Sequence, residues 1–245
     1  MILVAAALMA FGVGDITGSA FRGGGRWPTV GPALAGALAV TGIVAAAGGS
    51  LVWVLVGAIL ALAATAVWRM SCRLAMAGAW PTAVPLGWAA IVLAAAWGCS
   101  GSADRTSGPL ERWFSGLDVT APRSVDRFVV AGSVAIFLVA SANQVVRLVL
   151  QTAGTPASEG ESALRGGRFL GPLERLFIAA MVLGGNLTGA AIVIAAKGLL
   201  RLPEIRSSEE QSRGATDSVT EYFLIGTFTS LLVAGGLAAL VLAAR

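Results

Sequence analysis

The sequence contains no histidine and only two cysteines, Cys72 and Cys99, among its 245 residues. Without imidazole the chain has no Ser-His-Asp or Cys-His nucleophile and no ordinary proton shuttle near neutral pH. Two thiols without histidine also make a poor zinc site, so we expect no metal and no cofactor. No set of catalytic residues stands out, which leaves open whether the protein is an enzyme.

Charge is the second scarcity. Asp, Glu, Lys and Arg make up 12% of the residues, against about 25% in soluble globular proteins. Hydrophobic residues make up 56% of the chain, and the mean hydropathy is +0.81. Because so few charges cannot cover a water-facing surface, the composition excludes a soluble fold and predicts an all-α, polytopic integral membrane helical bundle.

The apolar residues lie in blocks of about 20, the length that crosses about 30 Å of hydrocarbon as a helix. In Ser100–Asp126 the side chains Leu110, Trp113, Phe114 and Leu117 recur at helical spacing, which predicts an interfacial helix over 109–117. We predict a single membrane domain, 1–245, with seven spans at residues 2–20, 31–47, 51–68, 84–98, 128–150, 173–196 and 222–244.

The basic residues flank the apolar blocks. There are 17 of them against 13 acidic residues, and all but Lys197 are arginines. This placement is typical of anchors at lipid phosphates, so membrane lipids are the expected partners and nucleic acid is not. With seven spans, nine basic residues fall on one face and eight on the other, so the positive-inside rule does not orient the chain.

Polar residues gather in the last three predicted spans. An ionisable group in hydrocarbon costs about 2.5–3.5 kcal/mol on insertion scales, so it needs a partner or a wet cavity. Lys197 and Arg201 share one helix face, and the alternative for such charges is that they reach the headgroups and neutralise one another. The candidate ligand-binding residues are Asp15, Glu174, Arg175, Lys197, Arg201, Glu221, Thr227 and Ser230.

Asp15 is the deepest acid in the N-terminal half, and no basic residue lies within a turn or two of it. We therefore predict that Asp15 has a functional role or bonds to a partner on another helix. The run Gly12–Asp15 resembles the GxGD motif of intramembrane aspartyl proteases, which implies a catalytic acid, but no second aspartate lies in the core of another span. The pairs Gly14/Gly18 and Gly185/Gly189 predict close helix packing.

The C-terminal third carries three further patterns, Gly171–Arg175, Ala195–Arg201 and Glu221–Ser230. They resemble the G-x-L-E-R, A-A-K-x-x-x-R and E-Y-x-x-x-G-T-x-x-S progression of a family of bacterial multi-pass membrane proteins known by a domain-of-unknown-function label. Gly14-Asp15 resembles that family's N-terminal G-D signature. The resemblance implies a protein of the bacterial cytoplasmic (inner) membrane, and it implies no established activity.

These observations favour a protein that binds or transports an anionic or amphipathic, lipid-like molecule through a polar seam between spans five to seven. Two alternatives stay open. One is a membrane-embedded enzyme acting on a lipid or isoprenoid substrate, with Asp15 or Glu221 as the acid/base. The other is an accessory subunit that contacts a membrane-protein partner, or a second copy of itself, through the arginine-rich loops and the 109–117 helix.

Overall fold

The computed structural model describes residues 1–20, 29–100, 108–116, 125–154, 167–196, 198–199 and 215–244. Within these ranges every regular element is a helix and there is no strand, which confirms the all-helical class. The helices are α1 Ile2–Ala20, α2 Val30–Ala46, α3 Leu51–Met76, α4 Ala83–Cys99, α5 Pro109–Ser115, α6 Val125–Val139, α7 Ser141–Thr152, α8 Gly167–Leu183, α9 Leu187–Ala196 and α10 Ala215–Ala243.

Three of the described helices are long and apolar enough to cross a membrane, over Ile2–Ser19, Leu51–Met76 and Leu224–Ala243. The pair α6 and α7, bent by 49°, would make a fourth. Helices α2, α4 and α9 are apolar but shorter. The helices thus have the composition of a membrane protein. By length and composition, three or four of the described helices could each cross a membrane, whereas the sequence predicts seven spans.

Helix α1 lies in the middle of the bundle. Its side chains Val4, Leu8 and Phe11 are completely buried, and it packs against α2, α3, α4 and α6. Almost every residue of α1 up to Gly14 is apolar or small. Its alanines and glycines leave room for four neighbouring helices to pack closely around it.

Glycines let α1, α2 and α3 approach closely. A Cβ on Gly14 would lie 2.5 Å from Cγ2 of Thr65, and one on Gly36 would lie 2.7 Å from the Ala10 carbonyl oxygen. A Cβ on Gly18 would overlap the Arg69 guanidinium. The predicted packing role of the Gly14/Gly18 pair is therefore confirmed, and α3 is the helix that the pair faces.

The helix predicted over 173–196 is divided in the structure. Gly185 has φ +73°, and the amide of Asn186 donates to the Met181 carbonyl at 2.8 Å, which closes α8 in a Schellman turn. The Asn186 side chain then accepts the Gly189 amide at 2.8 Å and caps α9. Gly185 serves this turn, and a Cβ there would meet open space, so it is not a packing position.

Other helices differ from the prediction at their ends. Helix α3 continues eight residues past the expected end at residue 68, as far as the turn in which Gly78 has φ +74°. Helix α8 begins at Gly167 and α10 at Ala215, before the expected 173 and 222. The segment predicted over 109–117 forms α5, where the Phe114 and Phe128 rings pack with centroids 5.7 Å apart. The extension of α3 matters most, because it places Arg69 inside a helix.

Candidate functional site

The first buried polar group of the structure is the Asp15 cluster, which consists of Asp15, Trp68, Arg69 and Ser141. The Asp15 Oδ2 atom accepts a hydrogen bond from Trp68 Nε1 at 3.0 Å and another from Ser141 Oγ at 2.6 Å. Its Oδ1 atom accepts one from Arg69 Nη1 at 3.0 Å, which is also a salt bridge. Three helices, α1, α3 and α7, thus meet at one carboxylate.

The local sequence explains why this ion pair forms between α1 and α3. Gly18 lies one turn after Gly14 on α1, and its missing side chain leaves the space that the Arg69 guanidinium occupies. Arg69 Nη1 also donates to the Gly14 carbonyl oxygen at 3.0 Å. The paired side chains are only 12% and 6% exposed for Arg69 and Asp15. Removing one partner of such a buried pair would leave an uncompensated charge.

The second buried group is the Arg175 cluster, which consists of Arg175, Leu138, Asn143 and Ser230. Arg175 is 4% exposed. Its Nε donates to Ser230 Oγ at 2.8 Å, its Nη1 to the Leu138 carbonyl oxygen at 3.2 Å, and its Nη2 to Asn143 Oδ1 at 2.7 Å. All three acceptors are neutral, and no described carboxylate lies within salt-bridge distance of this guanidinium.

Both clusters contact the bend between α6 and α7. Leu138 is near the end of α6, Ser141 begins α7, and Asn143 is in the first turn of α7. In an unbroken helix the Leu138 carbonyl would accept the Ala142 amide, whereas here it accepts Arg175. The cation therefore meets the carbonyl end of α6, and the Asp15 carboxylate meets the amide end of α7, which is the favourable sign at both helix ends.

A cleft adjoins the Arg175 cluster between α8, α9 and α10. It has about 270 Å³ of empty space, part of it open to the surroundings. Ser230 contributes to both the cleft and the Arg175 cluster. The cleft combines an apolar wall with three polar side chains, and its lining residues are Glu174, Ile178, Val193, Ile194, Thr227, Ser230 and Leu231.

The structure divides the predicted binding residues into separate places. Arg175 and Ser230 are in contact, and Glu174 and Thr227 line the adjoining cleft. Asp15 lies in the other cluster, and Glu221 is exposed. Lys197 and Arg201 lie outside the described residues. The seam between the last three predicted spans thus contains four of the predicted residues.

Sequence reasoning missed three partners of Asp15, namely Trp68, Arg69 and Ser141. The span predicted over 51–68 puts Trp68 and Arg69 at its end, where aromatic and basic residues are usual. Ser141 gave no signal because serine is common in membrane helices. The available signal was the Gly14/Gly18 pair, since a face without side chains can accommodate a long partner from a neighbouring helix.

The resemblance of Gly12–Asp15 to an aspartyl protease motif finds no counterpart in the geometry. The hydrogen bonds to Asp15 come from Trp68, Arg69 and Ser141, and none of these side chains is a carboxylic acid that could share a proton. Within the described ranges, no group of three or more His, Cys, Asp or Glu side chains could hold a metal ion.

Comparisons with protein-family models, with curated proteins and with solved structures gave no match to this chain.

Proposed function

We propose that the chain is a multi-pass protein of the bacterial inner membrane, with seven crossings, that binds or transports an anionic amphipathic molecule. The site is the cleft between α8, α9 and α10 together with the Arg175 cluster beside it. The apolar helices support the membrane location, and the resemblance of the C-terminal third supports the bacterial inner membrane. The proposal assigns the polar seam of the last three predicted spans to ligand recognition.

The observation that carries the proposal is the enclosure of the Arg175 guanidinium among neutral acceptors. A buried cation in a membrane protein is costly and usually marks a partner, a cavity or a ligand path. Arg175 makes three hydrogen bonds within the described chain, while a guanidinium has five N–H donors. A carboxylate or phosphate would supply the opposite charge that the three neutral acceptors lack.

The cleft supports the amphipathic part of the proposal. Its apolar side chains suit a hydrocarbon chain, and its polar side chains are Glu174, Thr227 and Ser230. Since the Glu174 carboxylate would repel an anion, the headgroup is assigned to the Arg175 side of Ser230, which belongs to both the cleft and the Arg175 cluster. The enclosed part of the cleft is only about 10 Å³, which is room for about one water molecule. A single acyl or isoprenoid chain would therefore lie along the open side of the cleft rather than inside a closed cavity.

The test is a comparison of lipid binding by the purified full-length protein and two arginine variants. Native mass spectrometry in detergent would measure the ratio of bound phosphatidylglycerol to bound phosphatidylcholine at equal supply. Arg175→Gln should lower this ratio by about tenfold, because charge-assisted hydrogen bonds contribute about 1.5–3 kcal/mol. Arg147→Gln removes the same charge from an exposed position on α7 and should leave the ratio unchanged.

A second variant tests the cleft independently, in case the Arg175→Gln protein misfolds. Thr227→Leu places a larger side chain in the cleft without touching the guanidinium, and it should reduce the binding of both lipids. Equal ratios for the Arg175→Gln and Arg147→Gln proteins would contradict the anion site, and undiminished binding of both lipids by Thr227→Leu would contradict the assignment of the cleft.

A further inference from the structure

The Asp15 and Arg175 clusters share one structural element, the first turn of α7. Ser141 and Asn143 are two residues apart in that turn. Ser141 donates to Asp15 at 2.6 Å, and Asn143 accepts from Arg175 at 2.7 Å. The same short stretch of backbone is thus held by a carboxylate from α1 and by a guanidinium from α8.

The direction of the Arg175 guanidinium depends on the α6–α7 bend. Its Nη1 is bonded to Leu138 before the bend, and its Nη2 is bonded to Asn143 after the bend. The guanidinium is a rigid planar fork, so a change in the relative position of these two acceptors must rotate it or break a bond. Whatever fixes the 49° bend therefore fixes where the remaining donors of Arg175 point.

The Asp15 cluster holds the residue at which α7 begins, directly after that bend. Ser141 is completely buried, and its short bond to a carboxylate is of the strong, charge-assisted kind. The carboxylate is itself held by Trp68 and Arg69 of α3. Ser141 is therefore tied to the central helix α1 and, through the carboxylate, to α3.

We infer that Asp15, acting through Ser141 and Asn143, is a positioning residue for the anion site at Arg175. The inference rests on the proposed function and adds a second set of residues to it, on helices that do not line the cleft. Asp15 does not contact the ligand. It sets the angle between α6 and α7, and that angle aims the guanidinium at an anionic headgroup.

The experiment uses Ser141 because its substitution leaves the Asp15–Arg69 ion pair and the Arg175 cluster intact. Ser141→Ala should lower the ratio of bound phosphatidylglycerol to bound phosphatidylcholine by about threefold to tenfold, less than the direct loss of a hydrogen bond to a charged group because Ser141 acts on the site only through α7. Ser141→Thr retains a hydroxyl and should keep most of the ratio. Ser133→Ala is the matched control, because Ser133 is also completely buried and, among the residues that the structure describes, its hydroxyl bonds only to the Val129 carbonyl of its own helix.

The readout is a selectivity ratio because a merely structural role would not move it. A variant that is only less stable binds less of both lipids and unfolds at a lower temperature. The ratio of the two lipids bound to its folded molecules stays constant. If Ser141→Ala proves unstable, Ser141→Cys keeps the side-chain volume with a weaker donor and should give an intermediate ratio.

The outcomes separate this inference from the proposed function. If Arg175→Gln lowers the ratio while Ser141→Ala and Ser141→Cys match Ser133→Ala, the anion site stands and the positioning role of Asp15 is wrong. If Arg175→Gln leaves the ratio unchanged, the proposed function itself fails. A graded loss from Ser141→Thr through Ser141→Cys to Ser141→Ala would support the inference.

Discussion

At the scale of single residues, the chain solves the problem of charge in an apolar interior in two different ways. Asp15 is neutralised by Arg69 and further bonded by two neutral donors. Arg175 donates its hydrogen bonds to neutral oxygens, and the nearby Glu174 carboxylate attracts it without forming a salt bridge within the described residues. Since a lone charge is far more costly in a low-dielectric interior than a paired one, the first arrangement is complete by itself. The second is suited to a site whose counter-charge arrives with a ligand.

Trp68 offers a test of the Asp15 cluster that changes no charge. Trp68→Phe removes the indole N–H that bonds to Asp15 Oδ2 while keeping an aromatic ring beside Phe11, whose centroid is 5.5 Å away. The buried carboxylate then has one donor fewer, so the free energy of unfolding should fall by about 1–3 kcal/mol. The unfolding midpoint in detergent, followed by circular dichroism at 222 nm, would measure this loss.

The control for this prediction is Trp97→Phe. Trp97 is 45% exposed, and its substitution should change stability by less than about 0.5 kcal/mol. Equal midpoints for the two variants would show that the indole bond to Asp15 contributes nothing to stability.

The residues of the site were predictable from the sequence only in part. Asp15 and Arg175 stand out because an ionisable group inside an apolar block is conspicuous. Their partners do not, because the bonds of Asp15 to Trp68 and Ser141 join positions 53 and 126 residues apart in the chain. Hydropathy describes the environment of each residue along the chain, whereas these bonds are set by which helices become neighbours.

At the scale of helices, small residues determine both where elements end and how closely they pack. Gly185-Asn186 ends α8 and begins α9 through a positive φ and a side-chain cap. The sequence contained this stop signal, but the apolar residues on both sides continue without interruption, and the pattern alone predicted one span. Helix composition was thus predictable, and the break was not, because a Gly-Asn pair is also compatible with an uninterrupted membrane helix.

The contact between α1 and α2 gives a prediction at this scale. A Cβ added at Gly36 would lie 2.7 Å from the backbone oxygen of Ala10, and backbone cannot move aside cheaply. Gly36→Ala should therefore force α1 and α2 apart and destabilise the protein by about 1–3 kcal/mol. The thermal unfolding midpoint in detergent is the measurement.

Gly42 on the same helix is the matched control. It is exposed, and a Cβ there would meet nothing within 4 Å. Because alanine is the better helix former by about 1 kcal/mol, Gly42→Ala should leave stability unchanged or raise it slightly. A Gly36→Ala protein as stable as Gly42→Ala would mean that the two helices are not in close contact.

At the scale of the whole molecule, α6 and α7 join two groups of helices. The central helix α1 packs with α2, α3 and α4, and α10 packs with α8. Helix α6 contacts α1, α8 and α10, and α7 contacts α3 and α10. The bent pair is therefore the only described element that both polar clusters share, which is why its angle can link the charge on α1 to the site on α8.

The number of membrane crossings depends on the shorter apolar helices, and α4 allows a direct test. Its 17 residues span about 25 Å as a helix, slightly less than the hydrocarbon thickness of about 30 Å, a mismatch that local thinning accommodates at modest cost. The seven-span topology requires α4 to cross. Cys99 at its end is exposed, and Ala79 before its start is also exposed, so these two positions report on its two ends.

The measurement is labelling of intact cells, and of cells made permeable, with a membrane-impermeant maleimide. The protein with its native Cys99 and the Ala79→Cys/Cys99→Ser variant should show opposite patterns, with one labelled in intact cells and the other only after permeabilisation. The Cys99→Ser protein retains only Cys72, which is buried, and should remain unlabelled until it is denatured. If positions 79 and 99 are labelled from the same side, α4 does not cross the membrane. The protein then has fewer than seven crossings, and the seven-span topology is wrong.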